Sequence, residues 1–140
     1  MAHGTVEGIP AEEIDYPILR DAATQKGLDY LALGHWHSLT LYPQSDSAVH
    51  MAYSGTHEPT KVGGPDSGNV LIVEISHSGA LPLITPIHTG QFQWSTLIKE
   101  IRNAGDMARI REELDLIEYP TSTIIDLRIN GIIPVEEYSE

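Results

Sequence analysis

Two histidines one residue apart, His35 and His37, stand in the stretch "GHWHS" directly after the apolar run "LDYLALG". A third, His3, opens the chain in "AHGTVEG", again followed by a glycine. Imidazole is a neutral ligand of intermediate softness that suits manganese, iron, zinc, nickel or copper, and its second ring nitrogen is oriented by an outer acceptor. Histidines at i and i+2 in a turn after a strand can be aimed in different directions, so they can serve two ions a few ångströms apart, as two-metal hydrolysis requires. Gly34 then lets the backbone turn sharply with no side chain in the way. A single His-x-His pair is more often accidental surface polarity, and His3 weighs against that reading here. The chain has no cysteine, so neither a disulfide nor a thiolate site is available, and any metal must be held by nitrogen and oxygen.

Such a turn needs elements to carry it. The segment "IDYPILRDAATQKG" reads as a helix, with Asp15 as its cap, Pro17 in its first turn and Gly27 at its exit. Ile18, Leu19, Ala22 and Ala23 would form its apolar face. In "LDYLALG" the apolar positions run together instead of alternating, as in a strand covered on both faces. Helix, glycine and buried strand make half of a βαβ-like layer, which puts the histidines on the loop at a strand's carboxyl end. Downstream, "AVHMAYSG", "NVLIVEIS" and "LPLITPIHTG" are short β-rich runs parted by turn residues, and they read as an antiparallel meander. "WSTLIKEI" fits either period poorly. "DMARIREELDLI" is an amphipathic helix, with Asp106 as cap and Met107, Ile110, Leu114 and Ile117 on one side. "STIIDLRING" closes as a strand with Ile125, Leu127 and Ile129 on a common face. The tail is thus a small βαβ appendage.

At 140 residues the chain has room for one ordinary domain plus a small addition. Eight Lys and Arg stand against twenty Asp and Glu. That balance disfavours phosphate backbones, because nucleic-acid affinity comes mostly from counterions displaced by Lys and Arg. The plain reading of the acidity is solubility. No run of apolar residues is long enough for a membrane helix, and the opening Met-Ala-His-Gly lacks the layout of a secretory signal. The expectation is a cytoplasmic protein with no membrane partner.

In this order and at these spacings, "AHGTVEG", "LDYLALGHWHSL", "YSGTHEPT", "GNVLIVEI" and "PLITPIHTGQFQW" resemble the second half of a calcineurin-like metallophosphoesterase, closest to the SbcD-type DNA-repair exonuclease branch. The resemblance implies an α+β (α/β) chain: residues 1–92 as the C-terminal half of a metallophosphoesterase β-sandwich with a flanking helix, and residues 93–140 as a small α/β cap. It implies that His3 and His35 ligate one ion and that His37 reaches a neighbouring one. The pair would be divalent, manganese first, with iron, zinc or nickel as alternatives. His57 and Glu58 are given no catalytic role, and nothing marks His50, His77 or His88 as ligands.

The family's first half supplies an Asp-x-His pair, a bridging Asp in a Gly-Asp element and a Gly-Asn-His element, and these are expected to be missing. No Asp here is followed two residues later by His, and Gly68-Asn69 is followed by Val70. Two close cations repel unless an anion bridges them. The first expectation is therefore part of a metal-dependent phosphodiesterase or nuclease, inactive alone and completed by an N-terminal half, with DNA or a small phosphoester as substrate of the whole. An open strand edge also suggests a homo-oligomer. The family's tail, which would dock an ATPase of SbcC type, is not matched. The alternative is a non-catalytic binding module.

Overall fold

The computed structural model describes residues 1–9, 15–44, 47–64 and 66–132. The chain divides into two units, Met1–Gln91 and Phe92–Glu140. It is a mixed α+β chain in which strand outweighs helix.

The first unit is built on a four-stranded sheet of β1 (Ala2–His3), β2 (Leu31–Gly34), β3 (Thr40–Pro43) and β4 (Val49–Tyr53), in the order β1-β2-β4-β3. β1 and β4 both run parallel to β2, while β3 returns antiparallel to β4. His3 stands opposite Gly34 and Leu33 opposite Tyr53, so the carboxyl ends of three parallel strands share one rim of the sheet. Burial of apolar surface drives the assembly. Leu31, Leu33, Tyr42, Met51 and Tyr53 from the sheet pack with Val6 and Ala23, and Ile18 and Trp36 lean against this cluster. β5 (Asn69–Glu74) and β6 (Leu83–His88) form a separate antiparallel hairpin, with Val70 opposite Ile87 and Ile72 opposite Thr85.

Two expectations change here. The three β-rich runs are not one meander: β4 joins the main sheet beside β2, and only β5 and β6 pair antiparallel with each other. The long helix shrinks to α1 (Ala22–Gln25), without a side-chain cap; Ile14 lies outside the described residues. The physical reason is competition for backbone groups. Thr5 N–H donates to the Asp15 carbonyl at 2.9 Å, Ile18 N–H to the Thr5 carbonyl at 2.9 Å, and Glu7 N–H to the Ile18 carbonyl at 3.0 Å. Ile18 thereby makes a parallel bridge to Val6. A backbone paired with a neighbouring strand has no groups left for i→i−4 bonds. Gly27 keeps its expected place at the exit, with φ 63°.

The second unit is a βαβ element: β7 (Gln93–Ile101), α2 (Asp106–Asp115) and β8 (Thr123–Gly131), with β7 and β8 parallel over their whole length. "WSTLIKEI" is therefore strand. α2 turns the expected face inward: Ile110 is buried and Met107, Leu114 and Ile117 are half-buried, among exposed neighbours. Asp106 caps in a different way from the one expected. Gly105 occupies the cap position at φ 87°, and Asp106, the first helical residue, turns its carboxylate back. That carboxylate accepts the backbone N–H groups of Arg102 and Asn103, each at 2.8 Å, and pairs with Arg109. Gly105-Asp106 is also a Gly-Asp dipeptide, contrary to the expectation that none occurs, and it serves this helix start.

These contacts hold the Asp106 carboxyl below its ordinary value of 3.8, chiefly through the Arg102 N–H and then that of Asn103; burial opposes the shift and Arg109 adds to it. A depressed carboxyl contributes stability that is complete above the unfolded value and lost as pH falls through the folded one. Acidification from pH 5 through 3.8 and below is expected to weaken the start of α2, read by amide exchange at Arg102 and Asn103. Asp106→Asn is expected to flatten that dependence.

Candidate functional site

The site forms where strands end. β1 delivers His3 and β2 delivers Gly34 beside it, so the rings of His3 and His35 meet edge to face with centroids 5.3 Å apart at an interplanar angle of 76°. Gly34 has a different task from the sharp turn expected of it. A Cβ at position 34 would stand 3.0 Å from His3 Nδ1, so the missing side chain makes room for the neighbouring imidazole. The turn itself falls on His35, whose φ is 102°. A left-handed backbone is unusual for any residue bearing a Cβ, and such strain gathers at functional positions.

Trp36 fixes the turn to the core by packing against the buried cluster, which leaves the histidines on either side of it free to face elsewhere. The far end of the turn is clamped by backbone. Thr56 N–H donates to the His37 carbonyl at 3.0 Å, and Leu39 N–H donates to the Asp66 carbonyl at 2.9 Å. Gly55, at φ 77°, permits this approach, because its absent Cβ would lie 2.7 Å from the His37 carbonyl oxygen. His37 Nδ1 lies 3.1 Å from the Thr60 hydroxyl, so Nε2 is the ring's remaining nitrogen for a ligand or proton. The turn 35–38 forms one wall of a cleft of about 480 Å³, and Thr60, Lys61, Gly63, Gly64 and Ser67 form the other.

β1 is steadied from below by Tyr53, which is fully buried at the end of β4. Its hydroxyl donates to the Gly4 carbonyl and accepts the Val6 N–H, joining β4 to the chain just after His3. Burial raises the Tyr53 phenol above its ordinary value, with the Val6 N–H acting in the opposite direction. Tyr42, edge to face with Tyr53 at 6.0 Å, is pushed up to about 12 by burial first and by Tyr53 second, against the nearby Arg20.

The structure therefore brings His3 and His35 together and sets His37 in the adjoining cleft beside Thr60. Among the described residues, no three His, Asp or Glu side chains are grouped closely enough to hold a metal ion. Imidazole nitrogen is a donor that divalent ions accept, so the close pair supplies the kind of ligand such an ion takes. Two other histidines have ring contacts of their own: His50 Nδ1 lies 3.0 Å from the Asp29 carbonyl, and His77 Nδ1 lies 3.0 Å from the Ser76 hydroxyl. The His57 carbonyl accepts from the Thr89 hydroxyl, and the Glu58 carboxylate accepts the Gln91 N–H, which tethers their loop to the segment after β6. Thr60, Lys61, Ser67 and Tyr53 were not visible as site residues in sequence, since each depends on contacts distant along the chain. Among the described residues, no helix is long and apolar enough to cross a membrane. Compared with models of known families and with curated proteins, the sequence matches none.

Proposed function

We propose that the chain is the C-terminal part of a dinuclear metallophosphoesterase of the SbcD-like kind, a phosphodiesterase or nuclease completed by a polypeptide carrying the remaining ligands. The observation that carries this reading is the convergence of His3 and His35 at the ends of neighbouring parallel strands, with His35 held in a left-handed turn. His3 and His35 would hold one divalent ion, and His37 would hold its neighbour through Nε2. When bound, such ions lower the pKa of a water molecule and polarise the phosphoryl oxygens. The chain's own residues do the positioning. Trp36 anchors the turn, Thr60 orients the His37 ring, and Tyr53 fixes the backbone after His3.

Manganese added well below stoichiometry tests the pair directly, because a paramagnetic ion broadens the proton signals of the rings it touches. The imidazole signals of His3 and His35 are expected to broaden first, while those of His50 and His77 persist. His3→Ala is expected to protect His35 from broadening. Equal broadening of all histidines, or none, would remove the basis of the reading. With bis-p-nitrophenyl phosphate the chain alone is expected to show little turnover; turnover abolished by His35→Ala would show that no second polypeptide is needed.

A further inference from the structure

We propose that the cleft between the 35–38 turn and the 60–67 loop binds the phosphate group of a small phosphorylated organic molecule, with Lys61 supplying the charge. Among the described residues, the walls carry no carboxylate, although the chain as a whole has twenty acidic residues against eight basic ones. Asp66 adjoins Ser67 in sequence but does not line the cleft; its carbonyl is taken by Leu39 N–H. Lys61 is one of the three basic residues of the unit Met1–Gln91, with Arg20 and Lys26. Arg20 is engaged with the Glu7 carbonyl and the Tyr42 ring. Lys99, Arg102, Arg109 and Arg128 each meet a carboxylate, whereas Lys61 meets none among the described residues.

Ser38, Thr60 and His37 line the same cleft, and hydroxyl and imidazole groups donate to anionic oxygen, whereas the Ser67 hydroxyl is already given to the Gly64 carbonyl at 3.0 Å. Positive charge in an otherwise acidic unit concentrates attraction for an anion at this place. The space of about 480 Å³ exceeds what a lone phosphate fills and falls in the range of sites for small organic ligands. Gly63, at φ 69° with no atom within 4 Å of its absent Cβ, leaves the rim open to a bulkier portion, and Trp36 offers an apolar wall on the opposite side. The subsite needs no metal and does not rest on the phosphoesterase reading. If both hold, the molecule hydrolysed carries a phosphate beyond the one attacked.

The full chain in EDTA, titrated with phenyl phosphate, inorganic phosphate and benzoate, decides the matter. In a Trp94→Phe background Trp36 is the remaining tryptophan, so its fluorescence reports the cleft. Phenyl phosphate is expected to bind saturably and more tightly than either of the others. Lys61→Gln is expected to weaken it by about tenfold or more with an unchanged circular dichroism spectrum, whereas Lys26→Gln leaves it as it was. Absence of saturable binding, equal binding of benzoate, or indifference to Lys61→Gln would each overturn the proposal. Because metal is absent throughout, failure here leaves the manganese result standing, and the reverse is also true.

Discussion

Tyr53→Ala is expected to lower the stability of the unit Met1–Gln91 by about 4–6 kcal/mol, an amount comparable to the whole stability of a domain of this size. Two losses add. The ring is fully buried among Val6, Leu33, Met51 and Tyr42, and removing so large an apolar body leaves a cavity that close packing cannot wholly refill. The hydroxyl also satisfies the Val6 N–H and the Gly4 carbonyl, and both would be left without their partner in the interior. Tyr53→Phe separates the two losses, because it keeps the ring and removes only the bridge; its expected cost is about 1–3 kcal/mol. Urea denaturation of the three proteins gives the comparison. A phenylalanine variant as stable as the parent would mean that the β4-to-β1 bridge contributes nothing.

Gly55→Ala is expected to cost about 3 kcal/mol and to displace His37 at the same time. The added Cβ would stand 2.7 Å from the His37 carbonyl oxygen, 2.9 Å from Leu39 N and 3.0 Å from Ser38 C, and all three are backbone atoms that cannot swing aside. The residue also sits at φ 77°, which an L side chain adopts with strain. Gly79→Ala is the control. Its φ of 82° imposes similar strain, but nothing lies within 4 Å of the new atom, so about 1 kcal/mol is expected there. Thermal unfolding measures the difference between the two. The His37 ring signals report whether its approach to Thr60 is broken. Equal costs at both positions would show that the turn gives way without resistance.

How much of this could be read in the amino-acid order depends on how local each cause is. Helix α2 was legible because Met107, Ile110, Leu114 and Ile117 repeat with the helical period and pack within one short βαβ unit. β2 was legible because its apolar residues run unbroken into a glycine. The segment 15–20 misled, since its helical pattern yields to pairing with Thr5–Glu7, a tertiary competition that no local window contains. β3 was missed because "TLYP" is short and ends in proline, and it gains its place only by lying against β4. At the site, only the family resemblance paired His3 with His35; no local pattern marks the two-residue strand that carries His3, which gains its place by lying against β2. The 60–67 wall was not legible either, because Lys61 and Ser67 are brought to the turn by loop bonds such as Leu39 N–H to Asp66, made across a long stretch of chain.

The backbone at His35 has a bearing on any attempt to engineer this protein. Glycine would rest at φ 102° without penalty, whereas histidine there sacrifices on the order of 1–3 kcal/mol. Selection for heat tolerance alone would thus drift toward glycine at this position. It would yield a sturdier molecule stripped of the imidazole that faces His3, and thermal resistance is accordingly a poor guide to which variants keep their chemistry.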